Sequence, residues 1–349
     1  MLTIILIAFF SLIGLLILHE FSHFFVAKKC GVVVEEFGVG YPPKIWGKKI
    51  RGTVYSLNLL PFGAFVKIPP ESLKSKPIWQ RFLIISAGII SFWVFCFVIL
   101  SIVFMMGALV QISDEDVGFE NPQIQIVAIA SGSPAEQAGL EVGDIIEATI
   151  KDPTGKFAKV VEVQQYIEQS KGGEVRLLIK RGADSLAIIV KPRVSPPEGE
   201  GALGVALARV AIKKYTLPQA LFRALTQTIQ LTIAIIIGLG QAIYNLFAGK
   251  PTGVEMVGPI GIMNIFAQTG SLGVSYFLQT IAIISLNLAI FNALPLPVSD
   301  GGKILFLAFE KIRKKPLNEE IEEKINKVFF ALLLVLMVWV TIKDIVKLF

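Results

Sequence analysis

The chain has 349 residues; 54% are hydrophobic, 17% are charged, and the mean hydropathy is +0.68. Soluble domains carry about 25% charged residues, so these values exclude a disordered chain and argue against a soluble single-core enzyme. The net charge of +6 fits the inner-face loops of a membrane protein and does not call for a nucleic-acid partner, because lysine and arginine collect on the cytoplasmic side of a bilayer.

A helix needs about 20 apolar residues to cross a bilayer, and four segments reach that length. The first, Leu2 to Ala27, holds the only two histidines of the chain, His19 and His23. Its start, MLTIILIAFF, has no basic region, and no A-x-A site follows, so the segment is expected to stay in the mature protein. The loop up to Arg81 contains ten basic residues and three acidic ones, which places it in the cytoplasm and the N-terminus outside. Within it, Val32 to Val34, Thr53 to Leu59 and Phe65 to Ile68 are β-prone, with a turn at Pro61-Phe62-Gly63. They predict a small sheet, a β-hairpin over about 32–68, at the cytoplasmic face. The second span is Phe82 to Val110.

The stretch from Gln111 to Tyr215 then lies outside and reads as a compact α+β domain. Ile124 to Ala130, the strand opened by Gly143-Asp144-Ile145-Ile146, Val175 to Lys180 and Leu186 to Val190 are strands, and Val161 to Gln169 is a helix. The run GSPAEQAGLEVGDII resembles the PDZ domains of bacterial proteases. Ser195 to Gly199 reads as a linker. Leu217 to Phe247 is apolar but carries Gln219, Arg223, Gln227, Gln230 and Gln241, which suggests an amphipathic or re-entrant helix at the outer face. The third span is Val274 to Pro297 and the fourth Val328 to Ile342, with Lys311 to Lys327 as a surface helix between them. The fold class is thus a polytopic α-helical membrane protein with four transmembrane helices, the cytoplasmic-face hairpin sheet and one extracytoplasmic PDZ-like domain. The division is 1–110, 111–198, 199–273 and 274–349.

Chemistry concentrates in two motifs. His19-Glu20-Phe21-Ser22-His23 is H-E-x-x-H: residues i and i+4 share a helix face, so both imidazoles can reach one metal while Glu20 serves as general base. Three ionisable groups inside an apolar span mark function. A catalytic zinc takes three protein ligands and leaves a position for water. With no third histidine, the remaining ligand is a carboxylate or thiolate: Asp300, Glu310, Cys30 or Cys96. Asp300 stands out because Asn292-Ala293-Leu294-Pro295-Leu296-Pro297-Val298-Ser299-Asp300-Gly301-Gly302 breaks a helix next to a membrane face. Backbone of that kind is tolerated only where it is covered by protein or lines a wet cavity.

Together the two motifs resemble the site-2 protease family of intramembrane zinc metalloproteases, and the single outer PDZ-like domain resembles its RseP-type bacterial branch. Gly52 to Ser56, Pro61 to Lys67, Trp79-Gln80-Arg81, Ala87-Gly88 and Gly258-Pro259-Ile260 also match family patterns. The resemblance implies that His19, His23 and Asp300 hold Zn2+ and Glu20 activates water. It implies substrate contacts at Gly63, Ala64, Phe65 and Val66 through strand addition, and at Asn292, Pro295 and Pro297. The implied substrate is a single-span membrane protein already trimmed by an upstream site-1-type protease, such as an anti-sigma factor or a signal-peptide remnant. The implied setting is the lipid of the bacterial cytoplasmic membrane, with the active site near its inner face. The chain departs from the family at Ser299, where leucine is usual, and at Ile89 to Trp93, where the second span usually has P-x-x-N-F. RseP itself has two PDZ domains where this chain has one. A proton-relay transporter is the competing class, but it leaves the outer domain unexplained.

Overall fold

The computed structural model describes residues 2–119, 121–149, 155–182, 184–197, 199–250, 257–315 and 319–346. The expected linker residue Glu198 and residues 316–318 of the expected surface helix lie outside them. By contact the chain divides into two units: Met1–Ser101, Leu221–Gln268 and Leu278–Phe349 form the first, and Ile102–Ala220 with Thr269–Phe277 the second.

The first unit opens with α1 (Leu2–Lys29), a nearly uniform apolar helix that ends on Lys28 and Lys29, cations that complement the negative end of its dipole. Gly31, at φ +68°, turns the chain out of the helix. The expected strand at Val32 to Val34 does not form: Val32 and Val34 are buried against Phe24, Ala27, Phe37 and Ile84, and this packing overrides their strand preference. The sheet starts at β1 (Glu36–Ile50) and returns as β2 (Thr53–Lys67) around Arg51-Gly52, both at positive φ. Residues 36–39 have β2 on both sides, 54–57 on one and 64–67 on the other, so β2 folds over between them at the predicted turn Pro61 to Gly63. The Lys44 ammonium, 2.7 Å from Glu36, holds that carboxyl below the usual carboxylate range. Next come α2 (Pro70–Lys74) and α3 (Ile78–Met106). Helix α3 stops four residues earlier than the sequence suggests, because Gly107 adopts φ +120°.

The second unit is a six-stranded sheet in the order β3-β8-β4-β5-β6-β7. Its elements are β3 (Ala108–Ile112), β4 (Gln123–Ile129), α4 (Pro134–Gln137), β5 (Ile145–Thr149), α5 (Val160–Gln169), β6 (Val175–Arg181), β7 (Asp184–Val190) and β8 (Val205–Lys213). Ile124, Ile126, Ile146, Leu177 and Ile179 form the core with Val163 and Ile167 of α5. Arg181 ties the GLEVGD turn down, donating to Asp144 at 2.7 and 2.8 Å and to the Gly139 carbonyl. The sheet takes in two strands from stretches read differently above: β3 from the end of a span, and β8 from beyond the linker. Strand β3 is only five residues long, and β8, VALARVAIK, is apolar at most positions, so neither shows a clean alternation.

After β8 come α6 (Leu217–Phe247), α7 (Pro259–Leu272), α8 (Val274–Ala293), α9 (Asp300–Arg313) and α10 (Glu319–Val346). Among the described residues five helices, α1, α3, α6, α8 and α10, are long and apolar enough to cross a membrane, one more than the four spans expected. Helix α6 is unbroken over 31 residues. It packs against the middle of α3: Trp93 Nε1 donates to Thr232 Oγ1 at 3.1 Å, and Cys96 Sγ lies 3.8 Å from Thr228 Oγ1. Its glutamines are spaced as a surface stripe, which hides the threonine face that does the packing. Among the described residues the expected surface helix is not a separate element: residues 311–313 end α9 and residues 319–327 begin α10.

Candidate metal centre

His19 and His23 project from one face of α1, as their i,i+4 spacing requires, and both are buried. Two features of α3 fix the rings. The Ile84 carbonyl accepts from His23 Nδ1 at 2.8 Å, which turns Nε2 toward Asp300 and His19. Phe92 stacks on His19 at 4.7 Å between centroids and 15° between planes. Between them sits Gly88, where a Cβ would collide with both imidazoles. The third side chain comes from the far end of the chain. Helix α8 ends before Pro295 and Pro297, which cannot continue a regular helix. The chain then doubles back so tightly that a Cβ at Gly301 or Gly302 would strike the carbonyls of Ala293, Leu294 and Leu296. Ser299 restarts the helix: its Oγ accepts from the Gly302 amide at 3.2 Å and donates to the Leu294 carbonyl at 2.7 Å. Serine at this position is therefore the α9 N-cap. Asp300, the first residue of α9, is not the cap, and its buried side chain points at the imidazoles.

Asp300 Oδ2 is 3.4 Å from His19 Nε2 and 3.1 Å from His23 Nε2, and the two Nε2 atoms are 3.3 Å apart. Ligands held about 2.0–2.1 Å from a tetrahedral ion stand roughly 3.3–3.4 Å from one another. The triangle thus has the size of one face of such a coordination shell. Two imidazole nitrogens and a carboxylate oxygen also form a suitable donor set for zinc. These three residues are the one group of potential metal ligands found among the described residues. The other candidates for a third ligand go elsewhere. Glu310 forms a two-point ion pair with Arg81 at 2.7 and 3.0 Å, Cys96 faces Thr228, and Cys30 is half-buried at the end of α1.

Glu20 and His23 open onto a cavity of about 500 Å³ whose wall also includes Val66, Arg81, Lys303, Leu307 and Glu322. Val66 of the predicted strand-addition segment therefore shares a cavity with Glu20. Ala64 is buried, Phe65 stacks on Tyr41, and Gly63 lies against Leu16, one turn before the histidines on α1. Asn292 is half-buried on α8 and donates to the Leu288 carbonyl of its own helix at 2.9 Å. Pro295 is exposed and Pro297 half-buried. Sequence reasoning did not single out the Ile84 carbonyl, Phe92, Lys303 or the Arg81–Glu310 pair, and it noted Gly88 only as part of a matching pattern. Only Lys303 left a usable signal, a charge one helical turn beyond Asp300.

The sequence profile described as peptidase family M50 matches residues 7–336. A Clostridium perfringens protein named as a zinc metalloprotease is 33% identical, covering 98% of each chain. The Bacillus subtilis regulator of sigma-W protease RasP is 26% identical over 98% of both chains. The Salmonella typhimurium regulator of sigma-E protease RseP is 27% identical over 95% of this chain and 96% of its own.

Proposed function

The chain belongs to peptidase family M50 and is a zinc metalloprotease, and from that premise we propose that it cuts single-span transmembrane substrates within the bilayer of the bacterial cytoplasmic membrane. One observation carries the reading: the triangle of His19, His23 and Asp300 atoms, two of its corners and Glu20 lying in a helix composed almost wholly of apolar residues. Those three residues would hold zinc, which when bound polarises a carbonyl and makes water more acidic. Glu20 would accept the proton of the attacking water and pass it to the leaving amide nitrogen. A membrane helix keeps its carbonyls hydrogen-bonded, so it must unwind before attack. Residues 63–66 would hold the unwound segment as an added strand, with Asn292, Pro295 and Pro297 at the other side of the site. The sigma-pathway names of RasP and RseP favour anti-sigma factors as substrates. Prior trimming by a site-1-type protease would make such substrates short enough, and the outer, PDZ-like unit would screen them by size.

The basic loop between α1 and α3 supports a site near the cytoplasmic face with the N-terminus outside. Asp300 must then also be inside. Helix α7 has 14 residues, about 21 Å, too short to return the chain across a core of about 30 Å. Helix α6 therefore lies beside the bundle without completing a crossing. A cysteine introduced at Lys250 is expected to react with a membrane-impermeant thiol reagent from outside intact cells. Protection from outside together with labelling from the cytoplasm would reverse that assignment.

The test of the activity is direct. Detergent-purified protein is expected to contain one zinc and to cleave a single-span substrate lacking its ectodomain faster than the full-length form. A chelator should stop cleavage. Cleavage unaffected by metal removal, or absent zinc, would refute the reading.

A further inference from the structure

We infer that Lys303 is a positioning residue for the metal centre: its ammonium clamps Oδ1 of Asp300, so that the carboxylate offers the ion a single oxygen, Oδ2. The inference rests on the metal-site reading above. Lys303 follows Asp300 by three residues on α9, so the two side chains project from one face. Lys303 Nζ lies 3.1 Å from Oδ1, whereas Oδ2 is the atom that lies 3.1 and 3.4 Å from the two imidazole nitrogens. The two oxygens thus have divided tasks.

The division has a chemical reason. The backbone of Asp300 is immobilised by the Ser299 cap and the close-packed Gly301-Gly302 turn. What remains free is rotation of the carboxylate about its own bond. An unclamped carboxylate can swing to present both oxygens to an ion and fill the position that a catalytic centre keeps open for water. With Lys303 in place Asp300 is only 3% exposed, so the lysine and not bulk water partners Oδ1. Lys303 is half-exposed along the wall of the Glu20 cavity, which lets its charge remain hydrated while its tip holds the carboxylate. Hydrogen-bond partners of ligating carboxylates act on metal affinity in this way.

Lys303→Met and Lys303→Arg in the full-length, detergent-purified chain test the idea. Three readouts are needed: zinc affinity by competition with a coloured chelator, the visible spectrum of the cobalt(II)-loaded protein, and the unfolding temperature of the metal-free protein. Lys303→Met is expected to weaken zinc binding roughly 10- to 100-fold. It should also lower the cobalt band intensity, as a change from four to five ligands does, without moving the metal-free unfolding temperature. Lys303→Arg, which restores a cationic donor, should keep affinity and spectrum near wild type. A Lys303→Met protein with wild-type affinity and spectrum overturns the inference while leaving the metal site standing. A methionine variant that unfolds at lower temperature, with arginine giving no rescue, also overturns it, because the role is then structural. Wild-type protein that takes up no zinc overturns the metal-site reading and this inference with it.

Discussion

Glu20→Gln is expected to lower the rate of peptide-bond cleavage by roughly 10²- to 10⁴-fold, the range lost when a general base is removed, with zinc content unchanged. Glutamine has the shape of glutamate but cannot take a proton from water. Glu20 contributes no atom to the triangle of His19, His23 and Asp300, so its neutralisation leaves the donor set intact. The measurement pairs a cleavage assay on a truncated single-span substrate with zinc quantification on the same preparation. Cleavage that survives the substitution would remove Glu20 from the mechanism. Loss of zinc together with activity would instead make it part of the metal site.

The second large effect is expected from Gly88→Val. A side chain there must enter the space filled by the two imidazoles. Helix α3 cannot back away without breaking contacts it makes with the same rings, the Ile84 carbonyl on His23 and Phe92 on His19. The rings have to move, and with them the nitrogens that define two corners of the triangle. Zinc affinity should fall at least about 100-fold, in line with the upper range for disturbed ligand support, and proteolysis with it. Gly14→Ala is the matched control. It lies on α1 with open space where its Cβ would go, and alanine is the better helix former by about 1 kcal/mol. It should bind zinc as wild type does. Equal zinc affinity in the Gly88 variant would show that the rings are not seated by α3.

These expectations depend on parts of the protein that differ in how plainly the sequence displays them. The pairing of His19 with His23 is legible because helical periodicity is local: four residues bring two rings to one face whatever surrounds them. Asp300 is visible only indirectly, through the lack of a third histidine and through the prolines that break α8 before it. The face of α3 that meets the rings left no trace beyond the Ala87-Gly88 pattern. After Arg81 that helix carries no charge and only three scattered serines, so no polar periodicity distinguishes Gly88 and Phe92 from their neighbours. Strands β3 and β8 were missed for a related reason. Their pairing is decided by partners about a hundred residues away, and an apolar stretch beside a span or linker reads equally well as part of either. Ser299, which stood out as a departure from the family pattern, gained a meaning once its hydroxyl was seen to cap α9.

The triangle draws two corners from the first membrane helix and the third from a turn some 280 residues later. At a synthesis rate of about 5–20 residues per second, the nascent chain carries its paired imidazoles for roughly a quarter of a minute to a minute before Asp300 emerges. Throughout that interval the growing polypeptide holds two corners of the triangle without the third, and all three corners exist together only late in translation.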